Sequence, residues 1–160
     1  SNFPDSNYLF HERDPFGVGC PPGSHVRRAN PRDALAPSEK ERQSLLDAAN
    51  NHRILRRGRK YGLQIADLRT HDDEDRGLLF ICLNTDIARQ FEFVQHTWLL
   101  NSNFATLFEE TDPLIGPAGR MTIREEPLRR TLQVDTFVKL AGGDYFFLPS
   151  MPALAYLATL

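Results

Sequence analysis

Short apolar runs alternate with polar breaks along this chain, and their spacing predicts most of its elements. Residues 1 to 24 are dense in Pro, Gly, Asn and Asp and read as an irregular segment. His25 to Arg28 is a short strand or one helical turn, and Pro31 ends it, because its ring disfavours helix at the preceding residue. Ser38 with Glu41 three positions on forms a capping box, and Leu45, Leu46 and Ala49 supply an apolar stripe up to Asn50-Asn51, which predicts a helix. Arg53 to Arg57 predicts a strand that breaks at Gly58. Leu78 to Leu83 is a continuous apolar run of strand length, suited to a buried strand. Thr85 or Asp86 caps a helix whose Ile87, Phe91, Val94 and Trp98 fall on one face, so that Trp98 is expected to pack in the core. Thr136–Leu140 and Tyr145–Leu148 flank Ala141-Gly142-Gly143-Asp144 and predict a hairpin. A last short helix follows Ser150, with Pro152 in its first turn and Leu154 and Leu157 packing inward.

Strands and helices mixed in this order predict an α+β fold, an antiparallel sheet with helices over one face. A length of 160 residues suits one domain, 1–160, and an apolar fraction of 41% can supply its core. The formal charge of -2 argues against a general nucleic-acid binder. The charges are uneven: residues 53 to 60 hold five cations, and residues 72 to 75 read Asp-Asp-Glu-Asp. The basic cluster reads as a solvated face, part of which an anionic cofactor would recruit. The acidic loop with His71 also reads as solvated, since it lacks the glycine turn of a calcium loop. Cys20 and Cys82 make neither a disulfide framework nor a zinc pair, and Cys82 is expected to be a buried thiol. No apolar run has the length of a membrane span and no secretory signal opens the chain, which leaves the cytoplasm as the default expectation.

The chemistry concentrates around His25. It follows Cys20-Pro21-Pro22-Gly23-Ser24 and precedes Arg27, Arg28 and Arg32, three arginines within seven residues. A neutral imidazole is the commonest protein ligand for a metal. Haem offers one axial position to an imidazole and two propionates to cations, so this setting suits haem better than a bare cation.

The segment from Gly19 to Asp33 resembles the proximal-histidine segment of the dye-decolorizing peroxidases. His52 to Gly58 resembles the family's strand carrying the distal arginine. Gly77–Asn84 with Phe91–Trp98 resembles its next strand and helix, and Asp112-Pro113-Leu114-Ile115-Gly116 and Gly143–Pro149 resemble its later signatures. The resemblance runs from about Asp14 to the end. It implies the second, C-terminal ferredoxin-like half of the family's α+β fold, with the N-terminal half not represented.

This resemblance implies a haem b cofactor, with hydrogen peroxide and small organic reductants such as dyes or phenols as partners. It makes His25 the axial ligand of the iron and Arg56 the cation that stabilises charge developing on peroxide. Asp112 is the first candidate to accept the other ring N–H of His25, with Glu109 and Glu110 as alternatives. Leu78 and Phe80 share a strand face and would form an apolar wall of the cofactor site. Arg32 is a candidate for a propionate, with Arg27 and Arg28 behind it. The family's distal aspartate sits in a Gly-x-x-Asp-Gly motif that this chain does not contain, and Gly142-Gly143-Asp144 is not its equivalent. The chain is therefore expected to be a fragment or truncated form, completed by the missing half or by a second copy. The rival expectations are a non-catalytic haem-binding domain and an α+β interaction module, whose uncovered sheet would expose an apolar patch.

Overall fold

The computed structural model describes residues 8–65, 67, 69, 72–124 and 129–160. His71 of the acidic loop and the first seven residues of the N-terminal irregular segment lie outside them. The elements are α1 (Phe10–Arg13), α2 (His25–Ala29), a 3-10 turn (Glu39–Glu41) running into α3 (Arg42–Asn51), β1 (Leu55–Arg56), β2 (Arg59–Tyr61), β3 (Gly77–Leu79) and β4 (Cys82–Leu83). They are followed by α4, a π-type helix in two stretches (Ala88–Glu92 and Val94–Leu99), β5 (Gly119–Arg124), β6 (Arg129–Val134) and α5 (Met151–Leu157). Helices mix with antiparallel pairs, as an α+β reading requires. The strands among the described residues form three two-stranded ladders, β1–β4, β2–β3 and β5–β6.

Local chemistry explains most of these elements. The segment at His25 is helical, and Asn30 terminates it ahead of Pro31. At the start of α3, Ser38 Oγ donates to Glu41 Oε2 at 2.9 Å, so the two capping-box side chains bond each other and not the backbone N–H groups. Asp86 does cap α4, accepting the Arg89 N–H at 3.0 Å. Inside α4, Glu92 N–H donates to Ile87 O and Leu100 N–H to Gln95 O, five residues back in each case. This wider turn buries Val94, Trp98 and Leu99 together. They pack with Ala49, Phe104 and Leu107, and with Ala29 of α2, to form the core.

Three expectations fail. The run from Leu78 to Leu83 is not one buried strand: it splits at Phe80–Ile81, β3 pairing with β2 and β4 with β1 on either side of the Gly58 break. Leu78 and Phe80 are exposed, because each ladder has only two strands and no described layer covers that face. The expected hairpin at 136–148 is absent among the described residues. The ladder forms instead at β5–β6, where Gly119 pairs with Val134 and Arg124 with Arg129. α5 has its Ser150 cap, accepting the Ala153 N–H at 3.4 Å, but Leu154 and Leu157 face outward. Cys82 is half-buried and takes a hydrogen bond from Asn84 Nδ2.

Candidate functional site

His25 is the first residue of α2, and its ring meets the loop that follows α4. Nδ1 lies 3.1 Å from Asp112 Oδ1 and 3.0 Å from Oδ2. A neutral ring in this position donates its Nδ1–H to the carboxylate and keeps a lone pair at Nε2. Among the described residues nothing hydrogen-bonds Nε2, and the His25 side chain is 30% exposed. The pair therefore presents a fixed imidazole with one nitrogen available to a ligand.

Asp112 is built to serve this pair. It is fully buried. Its Oδ1 accepts the N–H groups of Leu114 and Ile115 at 3.0 Å each, and Gly116 N–H closes the turn onto the Asp112 carbonyl at 2.9 Å. Gly116 is required here, because a Cβ would stand 2.5 Å from that carbonyl oxygen and 2.6 Å from Thr111 Oγ1. Burial alone would raise the Asp112 pKa. The hydrogen bond from His25, aided by the two backbone donors and the His25 charge, outweighs it and holds the carboxyl below its ordinary value. Of the other candidate acceptors, Glu110 turns its carboxylate to Thr122, and Glu109 pairs with Arg120.

The arginines separate into three roles. Arg28 is fully buried, and its guanidinium donates to the carbonyls of Trp98, Leu99, Asn101 and Glu110. Burial lowers its pKa, against the attraction of Asp112 and Glu110. Arg27 is also buried, donating to the Asp14 and Cys20 carbonyls and stacking 4.5 Å from the Phe10 ring centre. Neither is open to a propionate, which corrects their standing as candidates. Arg32 sits at a left-handed backbone position, φ 53°, and donates to the Tyr8 carbonyl.

Arg56 is exposed on β1, opposite Cys82 on β4. Leu78, on β3, pairs with Lys60, and Phe80 follows β3 and touches Phe91 at 6.0 Å between ring centres. The structure thus joins His25 to Asp112 directly, while Arg56 lies on the β1–β4 ladder and Leu78 on the β2–β3 ladder, with Phe80 in the break between β3 and β4. Sequence reasoning missed Arg28 as a buried clamp. The available signal was its position three residues after His25, on the same helical face. It also missed Asp14 and Asp33. Asp14 accepts the Val18 and Cys20 N–H groups at 2.8 Å, and Asp33 accepts that of Phe10 at 2.8 Å. Together they order the loops on either side of α2.

A fold of this kind is shared with solved DyP-type peroxidases. The chain is similar to a solved DyP-type peroxidase of Anabaena sp. (TM-score 0.67, 27% identity, covering 86% of this chain and 31% of that one). It is 32% identical to the multifunctional dye peroxidase of Amycolatopsis sp., over 100% of this chain and 36% of that protein. It is also 34% identical to a deferrochelatase of Yersinia pestis, over 91% of this chain and 22% of that protein. No family model matches the chain. The chain belongs to the dye-decolorizing peroxidase family, as part of its C-terminal region. It spans about a third of the length of the dye peroxidases it matches, 36% of the Amycolatopsis protein and 30% of the Mycena epipterygia one.

Proposed function

We propose that this chain is the haem-binding part of a dye-decolorizing-type peroxidase, which holds haem b through His25 and handles hydrogen peroxide beside Arg56. The observation that carries the reading is the His25–Asp112 pair. A buried carboxylate fixes Nδ1, and Nε2 is left without a protein partner among the described residues. An axial ligand needs one ring nitrogen fixed by an acceptor and the other open, which is the arrangement of this pair. The donor set fits haem for this reason, and the exposed apolar Leu78 and Phe80 fit the face of a macrocycle.

Haem, when bound, supplies an iron that takes oxidising equivalents from peroxide and passes them singly to organic donors such as dyes and phenols. Asp112 orients the His25 ring and draws on its Nδ1 proton, which raises the electron density available at Nε2. Arg56 brings a cation with a planar fork of donors, suited to stabilising the negative charge on a departing peroxide oxygen. Leu78 and Phe80 exclude water from that face. Arg32 would hold a propionate by sharing the guanidinium that now serves the Tyr8 carbonyl. Arg56 cannot relay a proton, so that task falls to a carboxylate from the remainder of the family fold. The remainder, or a second copy of this chain, would also cover exposed Phe146 and Phe147.

Titrating haem into the purified chain tests the reading. A Soret band should appear with wild type and be lost in His25→Ala. No band, or a band indifferent to that substitution, ends the haem assignment. Dye oxidation by peroxide, measured with Arg56 and with Arg56→Ala, then separates a peroxidase from a haem carrier.

A further inference from the structure

Among the described residues Arg28 is the most completely buried cation, and every hydrogen bond its guanidinium makes there goes to a backbone carbonyl. Nη1 donates to Trp98 O at 2.6 Å, Leu99 O at 3.0 Å and Asn101 O at 3.1 Å, and Nη2 reaches Asn101 O at 3.4 Å and the Glu110 carbonyl. Its Nε is buried with no partner among the described residues, so the hydrogen bonds of the side chain run from the two Nη atoms to backbone oxygens. Burying a charge is costly unless hydrogen bonds compensate, so these carbonyls are held firmly.

The partners bracket one residue. Leu99 O accepts from Arg28 Nη1 and also from the Asp112 N–H, at 2.8 Å. Glu110 stands two positions before Asp112. The Arg28 fork therefore grips the acceptor of the Asp112 backbone on one side and the chain leading into Asp112 on the other. Arg28 also lies three residues after His25, on the same face of α2. Helix α2 is thus attached to a single loop at two points, His25 to the Asp112 carboxylate and Arg28 to the backbone around it. A single hydrogen bond leaves a ring free to pivot, whereas two attachments fix both distance and angle.

We propose that Arg28 is the positioning residue of the His25–Asp112 pair: its guanidinium holds the Asp112 loop at the place where the carboxylate meets Nδ1. The positioning is a property of the chain itself, while its effect on a bound haem rests on the function proposed above. A buried arginine serving only to fill the core would act on stability and leave the imidazole hydrogen bond as it is.

The test uses the whole chain, without haem first, in the Arg28→Lys and Arg28→Gln variants. The far-downfield Nδ1–H proton resonance of His25 reports the bond to Asp112, and the indole N–H of Trp98 reports the core. In a variant that keeps the Trp98 signal, the proposal expects the His25 signal to be lost or broadened, with Lys, which keeps the charge, retaining more of it than Gln. A folded variant with an unchanged His25 signal overturns the proposal. If neither variant folds, native-state hydrogen exchange on wild type decides. The Arg28 Nη, Asp112 N–H and His25 Nδ1–H protons should exchange through one shared opening, and separate openings overturn the proposal. In haem-loaded protein the midpoint potential of a folded variant should rise, as His25 loses the pull of Asp112. Failure of wild type to bind haem would sink the functional reading and leave the haem-free result standing.

Discussion

Asp112 and His25 stand 87 positions apart and meet at 3.0 Å, the carboxylate fully buried and the ring part-exposed. The acid is held by its own loop, through the N–H groups of Leu114 and Ile115, before the histidine reaches it. The site is therefore preorganised from the carboxylate side. A histidine brought to such an acid has one tautomer to adopt, and Nε2 becomes the reactive end.

Replacing Asp112 by Asn tests that order. The amide keeps the shape but offers one acceptor oxygen to three donors, so a buried donor is left unsatisfied at a cost of about 1–3 kcal/mol. The urea midpoint should fall, with the chain's single tryptophan, the buried Trp98, reporting the transition. Haem titrated into the folded Asp112→Asn chain should bind with a shifted Soret band, since the His25 ring proposed to hold it is no longer kept in one orientation.

Acid should act through the same carboxylate. Its folded pKa lies below the ordinary 3.8, so it contributes stability that is complete above that value and is lost as the pH falls through the lower folded value. Unfolding midpoints measured from pH 7 down past about 3.9 should decline in wild type, with a flatter acid limb in Asp112→Asn. Parallel limbs in the two proteins would show that other carboxylates govern the acid response.

Some of this was legible in the sequence and some could not be. The segment around His25 and the Asp112-Pro113-Leu114-Ile115-Gly116 turn are local patterns, and both lead to the pair. Arg28 reads in the sequence only as a weaker propionate candidate, because its partners are backbone oxygens 70 to 82 positions away and backbone oxygens leave no trace in sequence. Gly142-Gly143 drew the hairpin to the wrong place, although Met121 and Ile123 already alternate with polar neighbours in β5 as paired strands do. The Leu78–Leu83 run was read as buried because an apolar run normally is. Burial needs a covering layer, which a strand's own sequence does not specify.

Gly116→Ala is a local test of the turn that aims Asp112. The added Cβ would lie 2.5 Å from the Asp112 carbonyl oxygen, which is backbone and cannot swing aside. The turn must open, at about 1–3 kcal/mol in the manner of overpacking. Because the Asp112 side chain is held by the next two N–H groups of that turn, its aim at His25 should be disturbed as well. Weaker haem uptake at equal protein folding, compared by Soret absorbance and Trp98 emission, is the expected result.

Arg56 predicts the opposite separation. It is exposed on a two-residue strand, and its side chain has no acid partner among the described residues. Arg56→Ala should therefore change stability by no more than about 0.5 kcal/mol, as surface substitutions do. Its proposed work is electrostatic and confined to peroxide, where removing one preorganised donor costs on the order of 10²–10³ in rate. Lysine in its place restores the charge without the planar fork, and should recover only part of the loss. Stopped-flow mixing of the haem-loaded protein with peroxide, followed at the Soret band, measures that step apart from dye oxidation. The ranking wild type, then Arg56→Lys, then Arg56→Ala, at equal haem content and equal thermal midpoint, is what a charge-stabilising role requires. Equal rates in all three would leave Arg56 a solvated strand residue.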